Sequence, residues 1–499
     1  MSRQKQYTIL HMDQIQSLLE SVLALMPGAN IRQLTSIIQG IYAISSGGVT
    51  QLNISRYADI SYRGVTRFMG ISIEWRKTYI EQLRWYARGK VGPYILAADE
   101  TVEDKAGKST HWVGYFFCSK AKKAIKSVSF SVLSLISVKQ RKSYVLDFVQ
   151  IGQDKAKAAA NKAKKAAKAA AKAAVKNSKT QIIGTEPTVK EVKEVKEVKE
   201  VKEVKEKNKG GRRVGSKTKA KEKTESVGFK ALELLLKRVL PLLMQIGISP
   251  CYLVGDGAYG NVTGCLIARE QNLHLISKLH YNMALYHLPE QGSKKRKYGH
   301  RVSFADLGNK DKEPLAVEIE RREDENGIVT CFQVQNVRTQ HIDVVINVVV
   351  VRYLCFSTKK YSYCLLFSTD LELAGEILVD YYTLRFQIEF NFRDAKQFFG
   401  LSDFKSIKEV QVTNSVGLAF FMVNLSAILL SDAQEALQVD FLSIQDVKAH
   451  FRAVFYANRL KNTPDFSVPS FSDPKCIDFL ANLGAVNLGK IIKKCKKAA

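Results

Sequence analysis

The eight cysteines, at positions 118, 251, 265, 331, 355, 364, 476 and 495, include no Cys-x2-Cys pair and no spacing that fits a disulfide framework. Scattered thiols in a large chain read as reduced core residues of a cytosolic protein. Paired metal-ligand motifs are missing too: the eight histidines supply none, so the sequence predicts no zinc site. The N-terminal MSRQKQYTIL lacks the apolar stretch of a signal peptide. The longest apolar runs, GLAFFMVNLSAILL (417–430) and DVVINVVVV (343–351), fall short of the about 20 residues that a membrane-crossing helix needs. These absences argue against a disulfide-stapled secreted domain and predict a soluble, cytoplasmic chain with no membrane partner. Acid is also scarce. Against 76 Lys and Arg stand 48 Asp and Glu, a net charge of +28 over 499 residues. That imbalance favours a polyanionic partner, nucleic acid above all. Between Asp154 and Glu225 there are 23 basic and 10 acidic residues, a local excess of 13, which leaves an excess of 15 for the rest of the chain. The basicity is therefore not confined to one tract.

The length allows two to four domains. Residues 1–90 show apolar residues at helical spacing, in QIQSLLESVLALM and IRQLTSIIQGIYAIS. QLNISRYADISYRGVTRFMGIS then reads as helix, turn and a second helix capped by Ser61, with Arg63 and Arg67 on its outer side. Such a helix-turn-helix can place its second helix in a DNA major groove. From 91 to 152 three β-type runs follow, and the first, VGPYILAADET, ends in Asp99 and Glu100. Residues 153–226 are low complexity: a Lys/Ala tract, six Val-Lys-Glu units from Val189 to Glu206, and GGRRVGSKTKAK. A three-residue period builds no lasting apolar face, so this segment reads as a solvated insert or linker. From 227 to 282 the chain reads as helix, a strand ending in Asp256, helix and strand. Residues 283–368 form a β-rich block that opens on the basic cluster SKKRKYGHR, with Lys294, Lys295 and Arg296, and holds an Asn326-Gly327 hairpin signal. Residues 369–431 complete the core, and 432–499 read as a helical tail with a basic end. The order β-β-β-α-β-α-β predicts an α/β fold: a ribonuclease-H-like mixed-sheet core, interrupted by the β-rich insertion and preceded by a helical DNA-binding domain.

The stretch DYYTLRFQIEFNFRDAKQFFGL (380–401) carries Tyr382, Arg385, Glu389 and Lys396. On one α-helix these four fall within an arc of roughly 60°, a carboxylate flanked by two cations and a phenol. Phe386, Ile388, Phe390 and Phe392 alternate as a strand would, but the helix-forming flanks and Gly400 as a stop favour helix. Asp99, Asp256 and Glu389 form a set of three carboxylates able to hold two divalent hard cations, a site type that breaks or joins phosphodiester bonds without a protein nucleophile.

With these residues in place, the chain resembles the DDE transposases of bacterial insertion sequences, in the branch marked by Tyr-x2-Arg-x3-Glu-x6-Lys. Tyr382, Arg385, Glu389 and Lys396 match that signature in type and spacing, ADET carries the first acid and GDGAYGN the second. The resemblance covers about 90–430. It implies two Mg2+ ions, with Mn2+ as substitute, held by Asp99, Asp256 and Glu389. It also implies cutting at transposon ends and joining of the 3′-hydroxyl to target DNA, by a homodimer at the bacterial nucleoid. Arg385 and Lys396 would hold the transposon end, with Tyr382 beside the terminal phosphates. Between Gly260 and Glu389 there is no tryptophan, which some relatives set against a flipped base; Tyr353, Tyr361 and Tyr363 are the available substitutes. Two other readings are a catalytically inactive, transposase-derived DNA-binding protein and a different ribonuclease-H-like nuclease.

Overall fold

Side-chain caps fix the ends of several N-terminal helices. The Asn30 side chain accepts from Gln33 N ahead of α2 (Ile31–Ala43), and Thr50 accepts from Asn53 N ahead of α3 (Gln51–Tyr57). Ser61 accepts from Gly64 N ahead of α4 (Tyr62–Met69). With α1 (Met12–Leu23) and α5 (Trp75–Tyr86) these complete a helical N-terminal region, in which α3, a short turn and α4 follow the helix-turn-helix order. The computed structural model describes residues 12–45, 47–87, 92–119, 121–152, 226–289, 296–437 and 443–461. The low-complexity insert, Lys294, Lys295 and the basic C-terminal end lie outside these residues.

The core sheet follows from Val/Ile/Phe-rich runs. β1 (Tyr94–Asp104), β3 (Lys123–Ser137) and β4 (Lys142–Ile151) form an antiparallel meander, and a short β2 (Gly114–Cys118) also pairs with β3. After the insert, α6 (Val227–Gln245) leads into β5 (Tyr252–Gly255), then α7 (Val262–Glu270) and β6 (His274–Leu279). β5 pairs in parallel with both β1 and β6. The order β4-β3-β1-β5-β6, antiparallel on one side of β1 and parallel on the other, is that of a ribonuclease-H-like sheet. β3 is buried over its last eleven residues, with α6 packed against both β3 and β4. Such two-sided burial explains why these strands read as continuous apolar runs.

Four features depart from the sequence reading. β1 does not stop at its acids: it runs on to Asp104, held by its antiparallel register with β3 after β5 has ended. The β-rich block is not a separate sheet. Besides the two-residue β7 (Leu285–Tyr286), it contributes β8 (Ala316–Glu323), β9 (Gly327–Thr339), β10 (Ile346–Cys355) and β11 (Lys360–Ser368), and β11 pairs with β6. The insertion thus covers a core edge that would otherwise expose unpaired backbone groups.

The third departure is in the 380–401 stretch, which forms two helices, α8 (Gly375–Leu384) and α9 (Gln387–Phe398). Between them the hydrogen bonds tighten to the three-residue pattern, with Arg385 N to Tyr382 O at 3.2 Å and Glu389 N to Phe386 O at 3.1 Å. The alternating apolar residues resolve into two helical pairs at i, i+4: Ile388 and Phe392 are buried, Phe386 and Phe390 exposed. The fourth is α10 (Glu409–Leu437), longer than its apolar run. Its stretch Glu409–Asp432 is long and apolar enough to cross a bilayer, but 83% of its apolar window is buried. A helix apolar all round belongs in a protein interior or a membrane, and here the protein covers it. Its few polar groups are partnered. Asn424 exchanges two hydrogen bonds with the Val145 backbone, both 2.9 Å, and Asn414 accepts from Trp75 Nε1 at 2.9 Å. Tyr79 of α5 donates to Gly417 O at 2.8 Å, and a Cβ added at Gly417 would lie 2.3 Å from the Trp75 ring. α11 (Ile444–Lys461) packs on α2 and α10.

Candidate active site

The register of the two central parallel strands fixes the first two acids. Ala98 of β1 pairs with Gly255 of β5, so Asp99 and Asp256 are the next residues on adjacent strands, with backbones about 5 Å apart. Asp256 opens a tight turn: its Oδ1 accepts from Ala258 N at 2.9 Å, and its carbonyl accepts from Ser277 Oγ at 2.6 Å. The glycines of this turn answer to space. A Cβ at Gly260 would sit 2.3 Å from Lys278 O, so only glycine lets the turn close against β6.

Glu389 reaches the pair through a shared cation. Arg385 donates from Nη1 to Asp99 Oδ2 and from Nη2 to Glu389 Oε1, both at 3.0 Å. Its side chain is only 8% exposed, so the guanidinium acts as a near-buried positive charge between two carboxylates. The Tyr382 ring lies 5.9 Å from the same guanidinium, and the exposed Phe386 ring 5.1 Å. Lys396 does not join this group. It pairs at 2.8 Å with Glu103, a buried acid that also accepts from Thr101 Oγ1 at 3.1 Å and Ser402 Oγ at 2.7 Å. Both stripe cations therefore bind acids of β1. The eleven residues from Arg385 to Lys396 climb about 16 Å at helical rise, and the four from Asp99 to Glu103 span about 13 Å of strand. A helix lying along β1 can thus serve both acids with one stripe.

Burial raises the Asp99 carboxyl from 3.8 to about 6. The Glu100 backbone N–H and Arg385 pull it back, while Asp256 and Glu389 push it further up. Beneath the acids, burial together with Glu100, Asp99 and Asp256 raises the Tyr259 hydroxyl, which stays neutral. Burial holds this proton against the pull of Arg385, so a further positive charge among the acids would release it. The donors at hand are hard carboxylate oxygens on neighbouring elements, a set that fits a divalent cation such as Mg2+. The Arg385 guanidinium already stands between two of them as a cation would.

The remaining residues with expected DNA contacts lie elsewhere. Arg63 and Arg67 are exposed on α4, and Arg296 is exposed in the β-rich block. Of the three tyrosines considered for a flipped base, Tyr361 is the most exposed, at 53%, with the Arg352 guanidinium 5.2 Å from its ring. Sequence reasoning missed Glu103 and Tyr259. Glu103 was signalled by period two: Asp99, Thr101 and Glu103 share one face of β1. Tyr259 gave no comparable signal, because its place depends on the turn after β5.

Residues 24–326 match the family described as DDE superfamily endonuclease, a span that holds Asp99 and Asp256 and ends before Glu389. Among solved structures, the chain is similar to a piggyBac transposase in a synaptic complex with hairpin DNA, seen by cryo-electron microscopy. The TM-score is 0.37 and the identity 10%, over 95% of this chain and 84% of that one. No curated protein sequence matches the chain.

Proposed function

Because the chain belongs to the DDE superfamily endonuclease family, we propose that it is an insertion-sequence type DNA transposase, working as a homodimer on paired ends. The observation that carries this reading is the pairing of Asp99 and Glu389, far apart in sequence, on one buried guanidinium, with Asp256 set beside Asp99 by the register of β1 and β5. Asp99, Asp256 and Glu389 would hold Mg2+, or Mn2+ in its place; such an ion would supply activation of a water or 3′-hydroxyl and charge stabilisation at the leaving oxygen. Arg385 holds Asp99 and Glu389 at a fixed separation and offsets their repulsion. Arg385 and Lys396 reach DNA phosphates only by releasing Asp99 and Glu103, and a divalent ion among the carboxylates favours that exchange for Arg385. Tyr382 and Phe386 offer ring faces beside the Arg385 guanidinium, where unpaired bases can stack. Arg63 and Arg67 on α4, with Lys294, Lys295 and Arg296, are the further residues for phosphate contacts in this reading.

The test is a supercoiled plasmid carrying the DNA that flanks the gene. With Mg2+ or Mn2+ the chain nicks at the element ends and joins the freed 3′ ends to a second duplex; with EDTA it does neither. Binding of those ends without any cleavage would replace this reading with that of an inactive DNA-binding descendant.

The raised Asp99 carboxyl gives a second expected result. Without metal, the folded chain holds this proton more tightly than the unfolded chain. The contribution to stability is therefore fully present below about pH 4 and is lost as pH rises through about 6. A divalent ion replaces the proton, so Mg2+ raises Tm by about 3 °C or more near pH 7.5, and much less near pH 5. Thermal melts with and without Mg2+ at the two pH values check this. An equal shift at both would show that Asp99 is not a ligand.

A further inference from the structure

A second group of metal-ligating side chains lies in the β-rich block, on residues that the carboxylate site does not use. His287, His300 and Glu313 each offer one ligand atom, and these atoms all lie within 4.8 Å of one another. The backbone brings the histidines together. Tyr286 and Arg301 form an antiparallel bridge, which sets His287 directly opposite His300, and His287 N donates to His300 O at 3.0 Å. Their rings face each other with centroids 4.2 Å apart. The crossing is close: a Cβ at Gly299 would lie 2.6 Å from Leu288 O, so glycine is required there. Glu313 comes from the far side of a turn, and its Oε1 is fixed by Ser303 N at 2.5 Å. Its Oε2 lies 3.1 Å from His287 Nε2, close to the about 3.4 Å between two ligands of a tetrahedral ion with bonds of 2.0–2.1 Å. His287 and Glu313 are buried, whereas His300 is exposed and its ring makes no hydrogen bond to a described residue. The trio thus has a dry floor and an open side.

We propose that His287, His300 and Glu313 bind a divalent ion of the zinc class, with water completing the shell on the His300 side. The donor chemistry makes the choice. Two imidazoles and one carboxylate suit Zn2+ and its borderline neighbours, whereas Mg2+ prefers oxygen donors alone. The carboxylate site and this one therefore select different metals. A buried carboxylate with one backbone donor and one imidazole is also short of positive charge, which the ion supplies. Bound there, the ion would tie the paired segments 285–287 and 300–302 to the turn ending at Glu313. The sequence concealed the site because His287 and His300 are thirteen residues apart and meet only through strand pairing.

The full chain, stripped with chelator and dialysed against Zn2+ in excess Mg2+, should retain one zinc per chain by elemental analysis. Cobalt(II) in its place should give the strong visible absorption of a tetrahedral N/O site. His300→Ala and Glu313→Gln should weaken zinc binding at least about tenfold. Asp99→Asn, Asp256→Asn and Glu389→Gln combined should leave the stoichiometry unchanged, which separates this site from the carboxylates. Because His300 is exposed, His300→Ala keeps the fold and decides the matter if Glu313→Gln does not. A wild-type chain that binds no zinc would reduce the trio to a His–Glu hydrogen bond with a stacked ring. Zinc binding unchanged in His300→Ala would likewise overturn the assignment.

Discussion

Asp99→Asn, Asp256→Asn and Glu389→Gln are each expected to cut Mg2+-dependent DNA cleavage by at least about 1,000-fold, or about 4 kcal/mol of transition-state stabilisation. The amides keep the shape of the side chains and remove the charge that a divalent ion needs. End binding should survive, because the exposed arginines of α4 and the basic segment near Arg296 are untouched. Gel-shift and nicking assays on the same preparations separate the two effects. Near-normal nicking by any one variant would remove that acid from the site. The Glu389 result matters most, because the matched family span stops before it and its role rests on the sequence signature and on its pairing with Arg385.

Arg385→Met is expected to destabilise the metal-free chain by about 2–4 kcal/mol. The variant keeps most of the side-chain volume but leaves Asp99 without its cation. The Glu389 branch adds little, since that carboxylate is 42% exposed and water screens it. Millimolar Mg2+ should restore much of the loss, because the ion offsets the same repulsion. Urea unfolding with and without Mg2+ measures both quantities. A deficit that Mg2+ leaves unchanged would mean that Arg385 supports packing rather than the carboxylates.

The order of strands and helices in the core could be read directly, because each run was long, strongly patterned and bounded by turn residues. Asp99 and Asp256 stood out because an acid at the end of an apolar run is costly unless it faces a site. Non-local facts could not be read. That β1 continues past Asp99 depends on β3, 33 residues away in sequence at the Asp99–Val132 pair. The join between β6 and β11 is a backbone contact that leaves no side-chain signature. The tightening at Arg385 is a break of one residue inside a pattern that favours helix throughout, and the arginine's two partners decide it. Lys396 was read as a phosphate ligand because its partner, Glu103, lies almost three hundred residues upstream.

The burial of α10 has a consequence for how the ends of a mobile element would be measured. Asn414 of α10 donates to Met69 O at the end of α4, and Asn424 of the same helix binds the Val145 backbone, so the helix that carries Arg63 and Arg67 is bolted to the sheet that carries Asp99. Such a molecule works as a caliper with fixed jaws. With Arg63 and Arg67 reading the element end and the acids cutting, as proposed, the distance from recognised sequence to cut bond would be set by the protein's own interior, and evolution could change it only by repacking that interior.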